Sequence, residues 1–181
     1  YPDIVRSCNG SVIFLPSTIE TNWQFDIHEY EECLKQEKVK GIILSNPNNP
    51  SGICYKKEFI EKVISIAATY GKYIVIDEIY LPLTNNINSE IYNNVDKKVI
   101  ILSGFSKYWA IPGWRIGWVV ANTELIHNFI KIQSTISTSA SVAGQQVALE
   151  LLKNYKPDLH VLEKSKLELT EIFRNKNWKL L

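Results

Sequence analysis

Lys107 and Arg115 share one short stretch, Ser103-Gly104-Phe105-Ser106-Lys107-Tyr108-Trp109-Ala110-Ile111-Pro112-Gly113-Trp114-Arg115-Ile116-Gly117. An amine attacks a carbonyl only when neutral, and a partly desolvated pocket or a neighbouring cation lowers a lysine's pKa enough to allow a Schiff base. Arginine does not lose its charge, and its planar fork grips a phosphate. A lysine nucleophile beside a phosphate clamp asks for a phosphorylated aldehyde. The cofactor that fits is pyridoxal 5'-phosphate.

Both residues must be held by the elements around them. Val99 to Leu102 is an apolar, strand-like run before the stretch, and Ile116 to Ala121 is another after it. Lys107 is therefore expected on a small-residue loop beside a buried sheet. Earlier in the chain, Gly41-Ile42-Ile43-Leu44-Ser45 reads as a buried parallel strand that runs into the turn cluster Asn46-Pro47-Asn48-Asn49-Pro50-Ser51-Gly52. Tyr73-Ile74-Val75-Ile76 is the next strand and delivers Asp77-Glu78-Ile79-Tyr80 at its carboxyl end. Ser11 to Leu15, following Asn9-Gly10, predicts a further strand.

Helical spacing predicts helices over 27–36, where Asp26 and Glu29 make a capping-box-like start, and over 56–70, which Gly71 is placed to stop. A third is capped by Asn122 or Thr123 and runs to about 136. A fourth covers about 142–153 and packs Ala143, Val147, Ala148 and Leu151. The last is expected to carry Pro157 in its first turn. Residues 81–98 read as a loop with one helical turn. Alternating strands and helices imply an α/β protein whose sheet is parallel, with helices on both faces, and in such sheets ligands collect where strands end.

The stretch from Gly104 to Gly117 resembles the lysine signature of the class I/II aminotransferases, fold-type-I enzymes that use pyridoxal phosphate. Asn49-Pro50-Ser51-Gly52 and Asp77-Glu78-Ile79-Tyr80 are similar to two further motifs of that family, in the same order. The resemblance implies a three-layer α/β/α large domain with a mostly parallel sheet. It implies that Lys107 carries the cofactor as a Schiff base and moves the substrate's α proton. It also implies that Asp77 pairs with the ring nitrogen, that Asn49 and Tyr80 bind the phenolic oxygen, and that Ser106 and Arg115 hold the phosphate. Glu78 points the other way on an extended chain and is expected to be structural. The implied reaction moves an amino group between an L-amino acid of aromatic, aspartate or alanine type and a 2-keto acid. Trp109-Ala110-Ile111-Pro112-Gly113-Trp114-Arg115 leans towards the tyrosine group. A carbon–sulfur or cyclopropane-forming (ACC-synthase-type) lyase would share the same residues, and a non-catalytic scaffold would keep the fold without the chemistry.

With 181 residues, 45% hydrophobic, 22% charged and a net charge of +1, the composition is that of a globular protein with one sizeable core, and it points to neither nucleic acid nor an anionic membrane. Cys8, Cys33 and Cys54 lack metal-ligand spacing and read as reduced thiols of a cytoplasmic protein. His28, His127 and His160 are expected at the surface. The chain contains no methionine, so it is expected to be an internal segment of a longer polypeptide. On this reading, residues 1–155 form the central part of a cofactor-binding large domain, and 156–181 lead towards a small domain. The resemblance places the family's phosphate loop and ring-stacking aromatic before Tyr1 and its carboxylate-binding arginine after Leu181, and it implies a homodimer for the whole protein.

Overall fold

The computed structural model of the protein describes residues 1–84, 98–176 and Trp178. Four strands form one sheet in the order β1 (Gly41–Ser45), β2 (Tyr73–Asp77), β3 (Val99–Gly104), β4 (Gly117–Val120). The first three are parallel, and β4 returns antiparallel to β3 as the second arm of the hairpin that contains the lysine stretch. The fold class is the expected α/β one with a mostly parallel sheet, corrected at its edge strand. The correction has a local cause: about a dozen residues separate β3 from β4, the bare minimum for a crossover, and the segment holds only the 3₁₀ turn Pro112–Trp114 and no helix to span the sheet, so the chain doubles back as a hairpin.

The register explains the core. Ile42, Ile74 and Val99 form one row across the sheet, and Leu44, Ile76, Ile101 and Val120 form the next on the same face. These rows pack against Tyr30 and Leu34 of α2 (Ile27–Lys35) and against Ile60, Val63, Ile64 and Ala67 of α3 (Lys57–Thr69). Ile74, Ile76 and Ile101 are all 0% exposed. On the other face the period of two sets Ile43 (39% exposed) and Tyr73 (38%), and it carries Asp77 to the same side.

The helix ends follow the chemistry of their residues. Asp26 accepts the Glu29 N–H at 2.8 Å and starts α2. α3 stops in a Schellman motif: Gly71 has φ +64°, its N–H donates to the Ala68 carbonyl, and the Lys72 N–H donates to the Ala67 carbonyl. The side chain that caps α4 (Thr123–Ile136) is Asn122, which accepts the Leu125 N–H at 2.9 Å. α5 (Val142–Asn154) and α6 (His160–Asn175) complete the chain after the short α1 (Pro2–Ser7). At the strand-entry rim, Lys72 Nζ donates to the carbonyls of Gln36 and Val39 at 3.1 and 2.7 Å, and Lys98 Nζ donates to that of Gly71 at 2.9 Å.

Three expectations are corrected. Ser11 to Leu15 is not a strand: residues 11–18 are irregular and are not part of the four-stranded sheet, with Phe14 67% exposed. Apolar residues there met the strand pattern without a pairing partner among the described residues. Pro157 lies before α6, not in its first turn, because the helix begins only at His160. In α5 it is Gly144 and Ala148 that are buried, while Ala143 is exposed. The expected loop at 81–98 opens with a 3₁₀ turn at Leu81–Leu83, and its stretch 85–97 lies outside the described residues.

Tyr30 gives the core a testable alkaline edge. It is 1% exposed and its O–H donates to the Val63 carbonyl at 3.0 Å. Burial raises its phenol well above the ordinary 10.0. An unfolded tyrosine ionises near pH ~10, so the contribution of Tyr30 is whole below that pH and is lost as pH rises towards the folded value. In urea titrations at about pH 9 and about pH 11, the loss of stability between the two should be smaller in Tyr30→Phe, which itself costs about 1 kcal/mol at neutral pH.

Candidate active site

The carboxyl ends of β1, β2 and β3 and the β3–β4 hairpin hold every candidate residue. At the end of β2, alternation turns Asp77 away from the core and turns Glu78, 1% exposed, into it, as expected. Asp77 is held twice: Oδ1 accepts the Ile79 N–H at 3.0 Å and Oδ2 accepts the Tyr1 hydroxyl. The chain then tightens into the 3₁₀ turn, which Tyr80 precedes.

Beyond β1, Asn46 N–H extends the ladder to the Asp77 carbonyl, and its buried side chain accepts the Tyr55 N–H at 2.9 Å. The turn from Asn48 to Ile53 is closed by Gly52 N–H on the Asn48 carbonyl, with Gly52 at φ +72°, a conformation that suits glycine. Asn49 is thereby presented to Tyr80 from 31 residues away, and its Nδ2 donates to the tyrosine oxygen at 3.3 Å. Lys107 Nζ lies 5.3 Å from the centroid of the same Tyr80 ring. The expected grouping of Asn49, Tyr80 and Lys107 is therefore present, with Tyr80 at its centre.

The last rung of the hairpin runs from Phe105 N–H to the Ile116 carbonyl at 3.1 Å, so Ser106 and Arg115 are the next residue on each arm. Arg115 adopts the left-handed conformation, φ 54° and ψ 43°, which turns its side chain out of the β4 pleat. Its guanidinium is exposed and donates to the Pro112 carbonyl at 3.0 Å. Lys107 is exposed too. The partly desolvated pocket expected around it is not formed by the described residues.

Among the described residues Asp77, Lys107 and Arg115 form no ion pair. An anchored carboxylate without a cation, an amine without an acid and a guanidinium with donors to spare are what a ligand with a ring N–H, an aldehyde and a phosphate would satisfy. The residues fit pyridoxal phosphate. No group of histidine, cysteine, aspartate or glutamate side chains among the described residues could hold a metal ion.

The family model for aminotransferase class I and II matches residues 1–175. The chain belongs to this family. Among curated relatives, the chain is 27% identical over 170 residues to the aspartate aminotransferase of Bacillus sp. (strain YM-2), covering 91% of this chain and 43% of that one. It is 30% identical over 156 residues to the aspartate aminotransferase of Thermotoga maritima, covering 84% and 41%. Of solved structures, a PLP-dependent aminotransferase from Streptococcus suis superimposes with a TM-score of 0.85 at 27% identity, over 96% of this chain and 47% of that one. The T. maritima aspartate aminotransferase gives 0.84 at 26% identity, over 97% and 48%. The chain thus spans less than half the length of these relatives. No helix among its described residues is long and apolar enough to cross a membrane.

Two features of the candidate site escaped the sequence. One is the Tyr1–Asp77 contact, which joins residues 76 positions apart and has no local signature. The other is the support behind Arg115. A Cβ at Gly144 would stand 2.8 Å from Ile116 Cγ1 and Cδ1 and 3.0 Å from the Trp114 carbonyl oxygen, so α5 touches the hairpin on both sides of Arg115 through a residue with no side chain. A lone glycine inside a helical pattern was the available signal. Gly144→Val should cost about 1–3 kcal/mol in urea unfolding, since the blocking atom includes backbone that cannot swing aside.

Proposed function

We propose that the protein to which this chain belongs is a pyridoxal-phosphate-dependent aminotransferase that exchanges an amino group between an L-amino acid and a 2-keto acid. The observation that carries the reading is that Lys107 Nζ lies against the ring of Tyr80, which Asn49 hydrogen-bonds, while Asp77, Lys107 and Arg115 have no ion-pair partner among the described residues. When bound, pyridoxal phosphate supplies an aldehyde and an electron-withdrawing ring that acidifies the α C–H of an amino acid.

The chain's own residues do the rest. Lys107 offers an amine beside Tyr80; it would hold the cofactor's aldehyde, and once the amine of an incoming amino acid displaced it, the freed Lys107 amine would accept the substrate's α proton and give it up again. Asp77 keeps the ring nitrogen protonated through a charge-assisted bond of about 1.5–3 kcal/mol. Because Asn49 donates to the Tyr80 oxygen, the Tyr80 proton is directed outward, towards the phenolic oxygen of the cofactor. Ser106 and Arg115 hold the phosphate, so the ring can tilt about a fixed anchor.

The substrate class is aspartate-like, supported by the names of the relatives, with aromatic and alanine-type amino acids as the competitors to be compared. Residues 1–155 are the central part of the large domain, with 156–181 leading out of it, supported by the absence of any buried residue in α6. A homodimer belongs to the same proposal, supported by exposed apolar side chains such as Ile136 (77%), Val142 (78%) and Leu167 (71%). A cytoplasmic location is supported by three free thiols. Borohydride reduction of the intact protein with pyridoxal phosphate, followed by peptide mapping, should place the label on Lys107, and the unreduced protein should exchange amino groups with a keto acid. Label on another residue, or thiol or ammonia release in place of exchange, would overturn the reading.

A further inference from the structure

We infer that Tyr1 is a positioning residue for the carboxylate that binds the cofactor ring; this rests on the function proposed above. The Tyr1 hydroxyl donates to Asp77 Oδ2 while the Ile79 N–H holds Oδ1 at 3.0 Å, so both oxygens of Asp77 are fixed by ordered donors. Tyr1 is itself held at the start of α1, where its carbonyl accepts the Val5 N–H at 3.0 Å.

Both donors are neutral, and that is what makes the arrangement useful. A lysine or arginine in the place of Tyr1 would neutralise Asp77 and compete with a ring N–H for it. A phenol locks the rotamer and leaves the negative charge unspent. Partial burial, and then the carboxylate it touches, raise the Tyr1 phenol above its ordinary value, which keeps it a neutral donor across the working range.

The test uses the intact protein, pyridoxal phosphate, and the analogue in which carbon replaces the ring nitrogen. Tyr1→Phe should weaken binding of pyridoxal phosphate about tenfold and leave binding of the carbon analogue unchanged, because only the former uses Asp77. In Asp77→Asn the further change Tyr1→Phe should have no effect on either ligand. Without cofactor, Asp77→Asn should lower the alkaline titration midpoint of the Tyr1 ring, followed by NMR. Equal losses with both ligands, no loss with either, or an unmoved Tyr1 midpoint would overturn the inference while leaving Lys107 labelled. A parent protein that takes no cofactor on Lys107 would overturn both the function and this role.

Discussion

Replacing Lys107 with alanine should lower amino exchange by about 10³-fold or more, since it removes the nucleophile and the proton carrier together. The same protein should unfold within about 0.5 kcal/mol of the parent, because Lys107 is exposed and takes part in no ion pair among the described residues. Lys107→Arg sharpens the test. It keeps the positive charge beside the Tyr80 ring but cannot give up a proton. If charge were the function of Lys107, the arginine variant would retain most of the activity. If the amine is the function, it should be as inactive as the alanine variant, and borohydride should fix no cofactor to residue 107. Stopped-flow exchange rates with the two variants side by side decide between these outcomes.

The second large effect lies in the fold. Ile76 is 0% exposed and sits in the row formed by Leu44, Ile76, Ile101 and Val120 beneath α2 and α3. Ile76→Ala should cost about 2–5 kcal/mol by removing buried methylenes and leaving a cavity that a parallel sheet cannot close. That is a large share of the roughly 5–15 kcal/mol that holds an ordinary domain together. Ile43→Ala removes the same atoms from the opposite face, where the side chain is 39% exposed, and should cost about 1 kcal/mol or less. Urea midpoints for the pair read the two faces directly. Equal losses would mean that the burial of the two faces had been assigned wrongly. Ile76 also precedes Asp77, so the alanine variant should lose cofactor affinity as well as stability.

The sheet and most helices were legible because their signals are local. Alternation in Tyr73 to Asp77, the Asp26 cap and the Gly71 stop are each written within a few residues, and each holds in the structure. The grouping of Asn49, Tyr80 and Lys107 was legible from motif order, since the three follow the three parallel strands of the sheet. What failed was partnership. The run Ser11 to Leu15 has a strand's composition, but it pairs with none of the strands among the described residues. The antiparallel turn of β4 depended on how little chain lies between it and β3, which a reading of apolar runs does not weigh. The Tyr1–Asp77 bond and the contact of Gly144 with Ile116 depend on where distant segments land, and no pattern inside either segment announces them.

The two rims of the sheet divide the labour. Every candidate group projects from the rim where strands end, while Lys72 and Lys98 fasten the opposite rim to carbonyls of Gln36, Val39 and Gly71. A fluorescent tag or a short peptide graft at the exposed Lys38 would therefore sit a full strand length from the chemistry, giving an engineer a handle on this protein that the catalyst does not feel.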